Sequence, residues 1–115
     1  MKVTTVYLWL DGCDPAWLEE ARLEAVLLAA VKAASFELLY SHCSTHQGRT
    51  VALAVVGESH VVLHAVPAAR TLCAEVLSCT TREAAAAAID VVRAQVPHDS
   101  ATDEWVNYEV EKGFE

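Results

Sequence analysis

Two apolar runs separated by a short polar break constrain the fold of this chain most strongly. The runs are TVALAVV at residues 50–56 and HVVLHAV at residues 60–66, and Gly57, Glu58 and Ser59 lie between them. Runs this rich in valine are typical of β-strands, and a break that contains glycine fits a turn between two strands. The segment therefore predicts neighbouring antiparallel strands, with a serine placed between a glutamate and a histidine where they meet.

The first third of the chain predicts a strand followed by a helix. Val6, Leu8 and Leu10 alternate with other residues in TTVYLWL, a period of two that indicates a strand. The turn GCDP then supplies Asp14 as an N-cap and a proline suited to the first helical position, so we expect a helix over residues 15–34. Four apolar side chains form its predicted core face: Leu18, Ala21, Ala25 and Leu28.

A second helix is predicted to begin near Thr80 or Thr81 and to end at Pro97. Thr80 and Glu83 have the spacing of a capping box, in which the side chains of both residues satisfy backbone N–H groups at the start of a helix. Its expected buried stripe consists of Ala85, Ile89, Val92 and Val96. Further strands are predicted in SFELLYSHC, TLCAEVLSC and EWVNYEVE, with a turn around Gly48.

The predicted order is β, α, β, β, β, β, α, β, which favours the α+β class. We expect an antiparallel β-sheet with two helices packed on one face, an α/β sandwich. The other face of such a sheet must also pack against something. A second copy of the chain is the simplest partner for that face, so a dimer is expected.

Composition limits the class of protein. The 115 residues suffice for one domain, and a hydrophobic fraction of 54% predicts a globular chain. The net charge of −8 disfavours binding to nucleic acid or anionic membranes and tolerates a small cationic, amine-bearing substrate. No apolar stretch is long enough to span a bilayer, and the start of the chain does not read as a signal peptide, so a cytoplasmic protein with reduced cysteines is expected.

Several short segments, in a fixed order, make the chain resemble a known family. They are GCDP at residues 12–15, ESH at 58–60, the following His64 and Pro67, and the cysteine at 79. LEAVLLAAVKAA and SHCSTHQG extend the similarity to the first helix and to the strand and turn after it. Together they resemble the bacterial and archaeal type of S-adenosylmethionine decarboxylase proenzyme, and this chain is identified as a divergent member.

The resemblance implies that the chain cuts itself between Glu58 and Ser59. The Ser59 hydroxyl would attack the carbonyl of Glu58, and β-elimination would then break the chain into a β chain of residues 1–58 and an α chain of residues 59–115. Ser59 would become a pyruvoyl group, a cofactor whose ketone forms a Schiff base with the substrate amine and whose amide carbonyl withdraws electrons as carbon dioxide leaves. The expected assembly is a homodimer of cleaved αβ protomers.

Two further residues receive roles from the same resemblance. Cys79 matches the proton donor, and an ordinary thiol pKa of about 8.5 keeps it protonated near neutral pH. His64 matches the histidine that moves protons during processing. Because Ser59 and His64 are an odd number of residues apart, their side chains would face opposite sides of an unbroken strand, so we expect the chain to bend or be cut near Ser59.

Departures from the family pattern concern substrate binding and processing. The family commonly has an aromatic residue and a carboxylate that hold the adenosyl group, where this chain has Val66 and Ala68. Glu75 stands where the family usually has aspartate. The family has a processing serine or threonine eight positions before the cleavage serine, where this chain has Val51. Either a one-residue bulge brings Thr50 into that role or the role is unfilled.

Three functions follow from these residues. The first is pyruvoyl-dependent decarboxylation of S-adenosylmethionine, which feeds spermidine and polyamine biosynthesis. The second is the same chemistry on L-ornithine or L-arginine, which the changes at Val66 and Ala68 favour. The third is an uncleaved, non-catalytic homologue that acts as a binding or regulatory subunit. No metal site is expected, because Cys43 and His46 have no second ligand pair at conventional spacing.

Overall fold

The computed structural model describes residues 2–57 and 59–109, which form a six-stranded antiparallel sheet with two α-helices on one face. The strands are β1 (Lys2–Asp11), β2 (Leu38–His46), β3 (Arg49–Val56), β4 (Ser59–Val66), β5 (Thr71–Ser78) and β6 (Ser100–Glu109). The helices are α1 (Glu20–Ala33) and α2 (Arg82–Gln95). The predicted α+β class and order of elements are confirmed; residues 110 and 111, the end of the last predicted strand, lie outside the described residues.

The order of strands across the sheet is β2-β3-β4-β5-β1-β6. β3 and β4 form the expected hairpin, in which Thr50 pairs with Ala65 at one end and Val56 pairs with Ser59 at the other. β1, the first strand of the chain, lies between β5 and β6 and pairs with both. The sheet therefore mixes strands that precede residue 58 with strands that follow it.

The two faces of the sheet have different surroundings. Successive side chains of a strand point to opposite faces, and one rung of fully buried residues marks the helix side: Ala52, Leu63, Ala74 and Leu8. α1 lies against β2, β3 and β4, and α2 lies against β5 and β1. The alternate residues form what we call the open face, where a neighbouring rung contains Leu53, Val62, Glu75 and Tyr7. The hydrophobic core thus lies between the helices and one side of the sheet.

The first helical segment differs from the prediction in its start and in its buried face. A 3-10 turn at Pro15–Leu18 is capped by Asp14, whose carboxylate accepts the N–H of Ala16 at 3.1 Å. The backbone of Glu19 is extended, so α1 begins only at Glu20. An apolar stripe predicted by counting helical positions from Leu18 therefore falls on the wrong face of α1. The residues that α1 buries are Leu23, Val26, Leu27, Ala30 and Val31, whereas three of the four predicted core residues, Ala21, Ala25 and Leu28, are exposed.

The second helix begins near Thr80 or Thr81, as predicted, but its cap is not the predicted capping box. Thr81 is the N-cap, and its hydroxyl accepts the N–H of Ala84 at 3.1 Å. The predicted capping box of Thr80 and Glu83 is therefore wrong, since it is one residue out of register with the helix. The predicted buried stripe is confirmed, and its members are Ala85, Ile89, Val92 and Val96.

The second strand begins at Leu38, three residues later than predicted. Ser35 has a φ of 58°, and the N–H of Phe36 donates to the carbonyl of Val31 at 3.1 Å, so these residues complete the end of α1 instead of starting a strand. The strand continues to His46, and Gly48, with a φ of 75°, completes the predicted turn into β3.

Candidate active site

Ser59 is the first residue of β4 and follows the turn that ends β3. It is half-buried, and the alternation along β4 places its side chain on the helix side together with Val61 and Leu63. Gly57 has a φ of 22°, and its N–H donates to the carbonyl of Glu37 at 3.0 Å, which fixes the chain just upstream of Ser59. Glu58, the other residue of the predicted cleavage site, lies outside the described residues.

A cavity of about 370 Å³ opens beside Ser59. Its wall comes from the end of α1 and the segment after it, from the turn between β3 and β4, and from the start of α2. Among the described residues that form this wall, Glu37 is the only charged one; the others besides Ser59 are Ala34, Ser35, Phe36, Val56, Gly57, Thr80, Thr81 and Ala84. The one carboxylate among the described residues of this wall would favour a positively charged ligand.

Sheet register brings Cys79 to the same end of the sheet as Ser59. Because His60 pairs with Leu77 in an antiparallel ladder, Ser59 lies level with Ser78, the last residue of β5. Cys79 is the next residue along the chain and is half-buried. The nucleophile and the proton donor expected from the resemblance therefore lie on adjacent segments.

Hydrogen bonds hold the turn that contains Cys79. The Ser78 hydroxyl donates to the carbonyl of Thr81 at 3.2 Å and lies 3.0 Å from the Thr80 hydroxyl. The N–H of Thr80 donates back to the same Ser78 oxygen at 3.3 Å. Ser78 is 1% exposed, so this network is anchored in the core and gives the turn a defined shape.

His64 lies far from Ser59 within one chain. β4 runs without a register shift from Ser59 to Val66, so the side chain of His64 is on the open face, opposite to that of Ser59. Five residue steps along a strand separate them by about 17 Å. The two side chains face opposite sides because β4 is regular from Ser59 onward, and the expected bend or cut of the chain near Ser59 stays a prediction. His64 instead lies between Val51 and Cys73 in the sheet.

The structure does not bring Thr50 to the cleavage site. The β3–β4 ladder contains no bulge, so Thr50 pairs with Ala65, about 20 Å from Ser59 along the strand. Of the two alternatives for the processing position, the ladder therefore favours an unfilled role within one protomer. Thr50 is 2% exposed and points to the helix side, where its hydroxyl lies 3.1 Å from that of Thr45. Val51 occupies the open face beside His64.

The two positions that depart from the family pattern lie at the other end of β4. Val66 is the last residue of the strand, and Ala68 is exposed in the 3-10 turn Pro67–Ala69 that follows. Seven residue steps separate Val66 from Ser59, about 23 Å along the strand. Within one protomer these residues do not contact the cavity beside Ser59.

Glu75 contacts two other titratable side chains on the open face. Its carboxylate oxygen lies 3.4 Å from Nε2 of His60, and both side chains are about one third exposed, at 35% for His60 and 33% for Glu75. Tyr7 pairs with Glu75 across the β1–β5 ladder, so its side chain lies beside the same carboxylate. The negative charge of Glu75 is the main reason that the pKa of Tyr7 is raised above 10.0, with burial as the next cause.

Burial raises the pKa of three cysteine thiols, Cys13, Cys43 and Cys73, above the ordinary value of 9.0. Glu75 adds to the increase at Cys73, and Asp11 does so at Cys13. All three are free of disulfides in the structure. They are therefore protonated, weakly nucleophilic thiols at neutral pH.

The remaining candidates do not form a second site. Among residues 2–57 and 59–109, no three His, Cys, Asp or Glu side chains converge as metal ligands. Cys43 points to the helix side, where its thiol donates to the carbonyl of Glu20 at 3.7 Å. Trp17 and Trp105 pack against the core, whereas Trp9 is 38% exposed on the open face.

Within the part of the chain that the structure describes, none of the helices is both long enough and apolar enough to span a membrane.

Sequence patterns did not reveal Glu37 or Thr81 as residues of the cavity. Glu37 reaches it because the end of α1 meets the β3–β4 turn, and no local pattern indicates that contact. A weak signal existed for Thr81, since hydroxyl residues at positions 78, 80 and 81 are typical of a turn that ends in an N-cap.

Comparison with known proteins identifies the family. The family model for S-adenosylmethionine decarboxylase matches residues 4–104. No curated protein sequence matches the chain significantly. Among solved structures, the adenosylmethionine decarboxylase from Aquifex aeolicus VF5 has the same fold, with a TM-score of 0.87 at 17% sequence identity, over 98% of this chain and 95% of that one. The chain belongs to the S-adenosylmethionine decarboxylase family.

Proposed function

We propose that the chain is a cytoplasmic, self-processing, pyruvoyl-dependent decarboxylase that is cut between Glu58 and Ser59. Membership of the family supports the class of reaction. The position of Ser59 supports the proposed cleavage site and cofactor. Ser59 begins a strand immediately after a turn, lines a cavity, and lies level with the segment that contains Cys79. The products of cleavage would be a β chain of residues 1–58 and an α chain of residues 59–115.

Self-cleavage needs only the Ser59 side chain, proton carriers and water. The Ser59 Oγ bonds to the carbonyl carbon of Glu58, the C–N bond between the two residues breaks, and the Ser59 nitrogen takes a proton. A base then removes the Cα proton of Ser59, the Cβ–Oγ bond breaks, and Glu58 leaves as a carboxylate. Water replaces the nitrogen at Cα and ammonia departs. Gly57 supports these steps because it accepts a left-handed φ that would strain other residues.

The position of Ser59 fits the pyruvoyl group that these steps would create. Ser59 is half-buried at the end of a sheet, so a new chain end there stays beside the cavity and partly shielded from water. The group supplies a ketone that captures the substrate amine and an amide carbonyl that accepts the electrons released with carbon dioxide. Cys79, on the adjacent segment, would then return a proton to the substrate carbon.

A second copy of the chain would complete the site through the open face. The 17 Å separation means that His64 cannot reach Ser59 of its own protomer, yet processing needs a proton carrier. The open face also exposes large hydrophobic side chains, which favours covering it: Trp9, Tyr40, Val55, Val106 and Tyr108. We therefore propose a homodimer in which His64 of one protomer serves Ser59 of the other, whose side chain would turn from the helix side to the open face at the end of the sheet.

The substrate is an amino acid that carries a second positive charge. S-adenosylmethionine is the substrate that family membership favours, and its sulfonium is cationic. L-ornithine or L-arginine is the alternative, favoured by the loss of an aromatic residue and a carboxylate at Val66 and Ala68. The carboxylate of Glu37 suits either class. Carbon dioxide release measured from all three compounds side by side distinguishes them, and efficient turnover of S-adenosylmethionine would overturn the argument from Val66 and Ala68.

Intact-mass measurement of the purified chain tests the proposal. Two fragments divided between residues 58 and 59 are expected, and Ser59→Ala should leave one whole, inactive chain. Ser44→Ala is a matched control, because Ser44 is exposed on β2. A wild-type chain that stays whole favours the third function, an uncleaved binding or regulatory subunit. Val51, in place of the family's processing hydroxyl residue, is the observation that keeps this alternative open.

A further inference from the structure

Tyr7, Glu75 and His60 form a continuous chain of contacts across three adjacent strands. Tyr7 is on β1, Glu75 on β5 and His60 on β4, and all three side chains lie on the open face. Tyr7 pairs with Glu75 across the β1–β5 ladder, so the two side chains lie beside each other, and the Glu75 carboxylate lies 3.4 Å from Nε2 of His60. The Glu75 side chain thus lies between Tyr7 on β1 and His60 on β4.

This chain of contacts ends at the residue directly after Ser59. Upstream of the cleavage site, the N–H of Gly57 is bonded to the carbonyl of Glu37 at 3.0 Å. Downstream, the contact between His60 and Glu75 is the first side-chain contact of β4 that involves a charged group. The peptide bond to be cut therefore lies between two anchored residues.

Cleavage makes the downstream anchor more important. Before the cut, Ser59 is held from both directions along the chain. After the cut it would be a chain end, and chain ends fray unless contacts hold them. A reacting group must stay within a fraction of an ångström of its partner, so motion of that end would slow the reaction.

We infer that Glu75 is a positioning residue, which acts through His60 to hold the backbone at Ser59 during self-cleavage and afterwards. This inference rests on the self-processing function proposed above. Glu75 does not contact the reacting atoms, and its effect is transmitted by one neighbouring residue. An ion pair between groups that are about one third exposed adds little to folding stability, so the role would appear in the reaction and not in the melting temperature.

The charges of His60 and Glu75 make the positioning role of Glu75 testable. His60 contributes a positive charge to the pair only when it is protonated. The titratable groups on the open face around this cluster are Tyr7 on β1, Cys73 and Glu75 on β5, Glu104 and Tyr108 on β6, His64 on β4 and His42 on β2. The two histidines are the bases among them. His64 lies four residues along β4 from His60, beside Cys73, and His42 lies two strands away, so neither replaces the charge of His60 in the pair, and the contact should tighten when His60 is protonated.

The experiment compares the self-cleavage rate of three variants with that of the wild type between pH 5 and pH 9. Glu75→Gln keeps the size of the side chain and removes its charge. We expect this variant to cleave about tenfold more slowly than the wild type. It should also lack the part of the pH dependence that comes from the ion pair. His60→Arg keeps a cation at every pH, so it should cleave near the wild-type rate and with a flatter pH profile. Glu104→Gln, which removes an exposed carboxylate from the same face, should behave as the wild type.

The outcomes separate this inference from the proposed function. If the wild type is cut and Glu75→Gln matches Glu104→Gln in rate and pH profile, the positioning role is wrong and self-processing stands. If the wild type is never cut, both are wrong. A Glu75→Gln variant that cleaves slowly because it melts at a lower temperature would also refute the role, and His60→Arg remains a separate test because it retains the pair.

Discussion

Ser59 and His64 lie on the same strand, five residues apart, with their side chains on opposite faces of the sheet. Ser59 faces the helices, and His64 faces the open side, in a rung with Val51 and Cys73. No rotation of either side chain can bring them together across about 17 Å of regular strand. If both act in the same cleavage reaction, they act between two protomers.

Mixed dimers test this arrangement directly. Ser59→Ala and His64→Ala should each remain whole when produced alone. When the two are produced together, the His64→Ala chain should be cut, because its intact Ser59 faces a partner with an intact His64. Tags of different mass on the two chains allow intact-mass measurement to show which is cut. Cleavage of His64→Ala alone at the normal rate would show that His64 has no processing role.

Cys79→Ala should separate processing from decarboxylation. The variant should still be cut, because the thiol takes no part in the acyl shift, but carbon dioxide release should fall about 100-fold, the contribution typical of a positioned proton donor. Cys73→Ala is the matched control, since Cys73 is also half-buried but lies in the middle of the open face. Equal activity of Cys79→Ala and Cys73→Ala would contradict the assignment of Cys79.

The cap of α2 can be tested by two neighbouring substitutions. Thr81→Ala should lower the free energy of unfolding by about 1 kcal/mol, because it removes the hydroxyl that accepts the N–H of Ala84 at 3.1 Å. Thr80→Ala should cost less, since the Thr80 hydroxyl bonds to Ser78 and caps nothing. Urea unfolding of both variants measures the difference, and a larger loss for Thr80→Ala would place the cap one residue earlier.

Stability should fall as the pH rises above about 9. Burial raises the pKa of Cys13, Cys43 and Cys73 above 9.0, so the folded chain holds these protons more tightly than the unfolded chain does. Their contribution is fully present below the unfolded pKa and is lost as the pH rises through the folded one. Tyr7, whose pKa is raised above 10.0, extends the loss to higher pH.

Melting temperatures at pH 8 and pH 10.5, measured with a reducing agent present, check the effect of pH. Cys73→Ala should lose less on going to the higher pH than the wild type does, because one of the raised thiols has been removed. A melting temperature that does not change between the two pH values would show that burial of these thiols has no effect on proton binding.

The strand pattern of the sequence was sufficient to predict the sheet because apolar residues alternate regularly, as Val61, Leu63 and Ala65 do in β4. The buried face of α1 could not be predicted in the same way. Which residues of α1 face the core depends on where the helix begins, and the extended backbone of Glu19 sets that start. Side-chain hydrophobicity carries no information about the backbone conformation of Glu19.

The candidate site was only partly visible from the sequence. Ser59, His64 and Cys79 were identified through the resemblance of the chain to a family. The comparisons confirm that resemblance at the level of the fold and the class of protein. Their spatial relationship depends on strand register, which places Ser59 beside Ser78 and His64 on the opposite face. Glu37 could not be found, because it reaches the cavity through a contact between the end of one helix and a distant hairpin turn.

The position of β1 between β5 and β6 has a consequence for the two proposed fragments. A cut between residues 58 and 59 would leave β1 in one fragment, hydrogen-bonded on both edges to strands of the other, while β3 stays paired with β4. Neither fragment could leave without breaking three ladders of the sheet. The cut protein would therefore unfold as one cooperative unit, and exchange of fragments between molecules would be as slow as global unfolding.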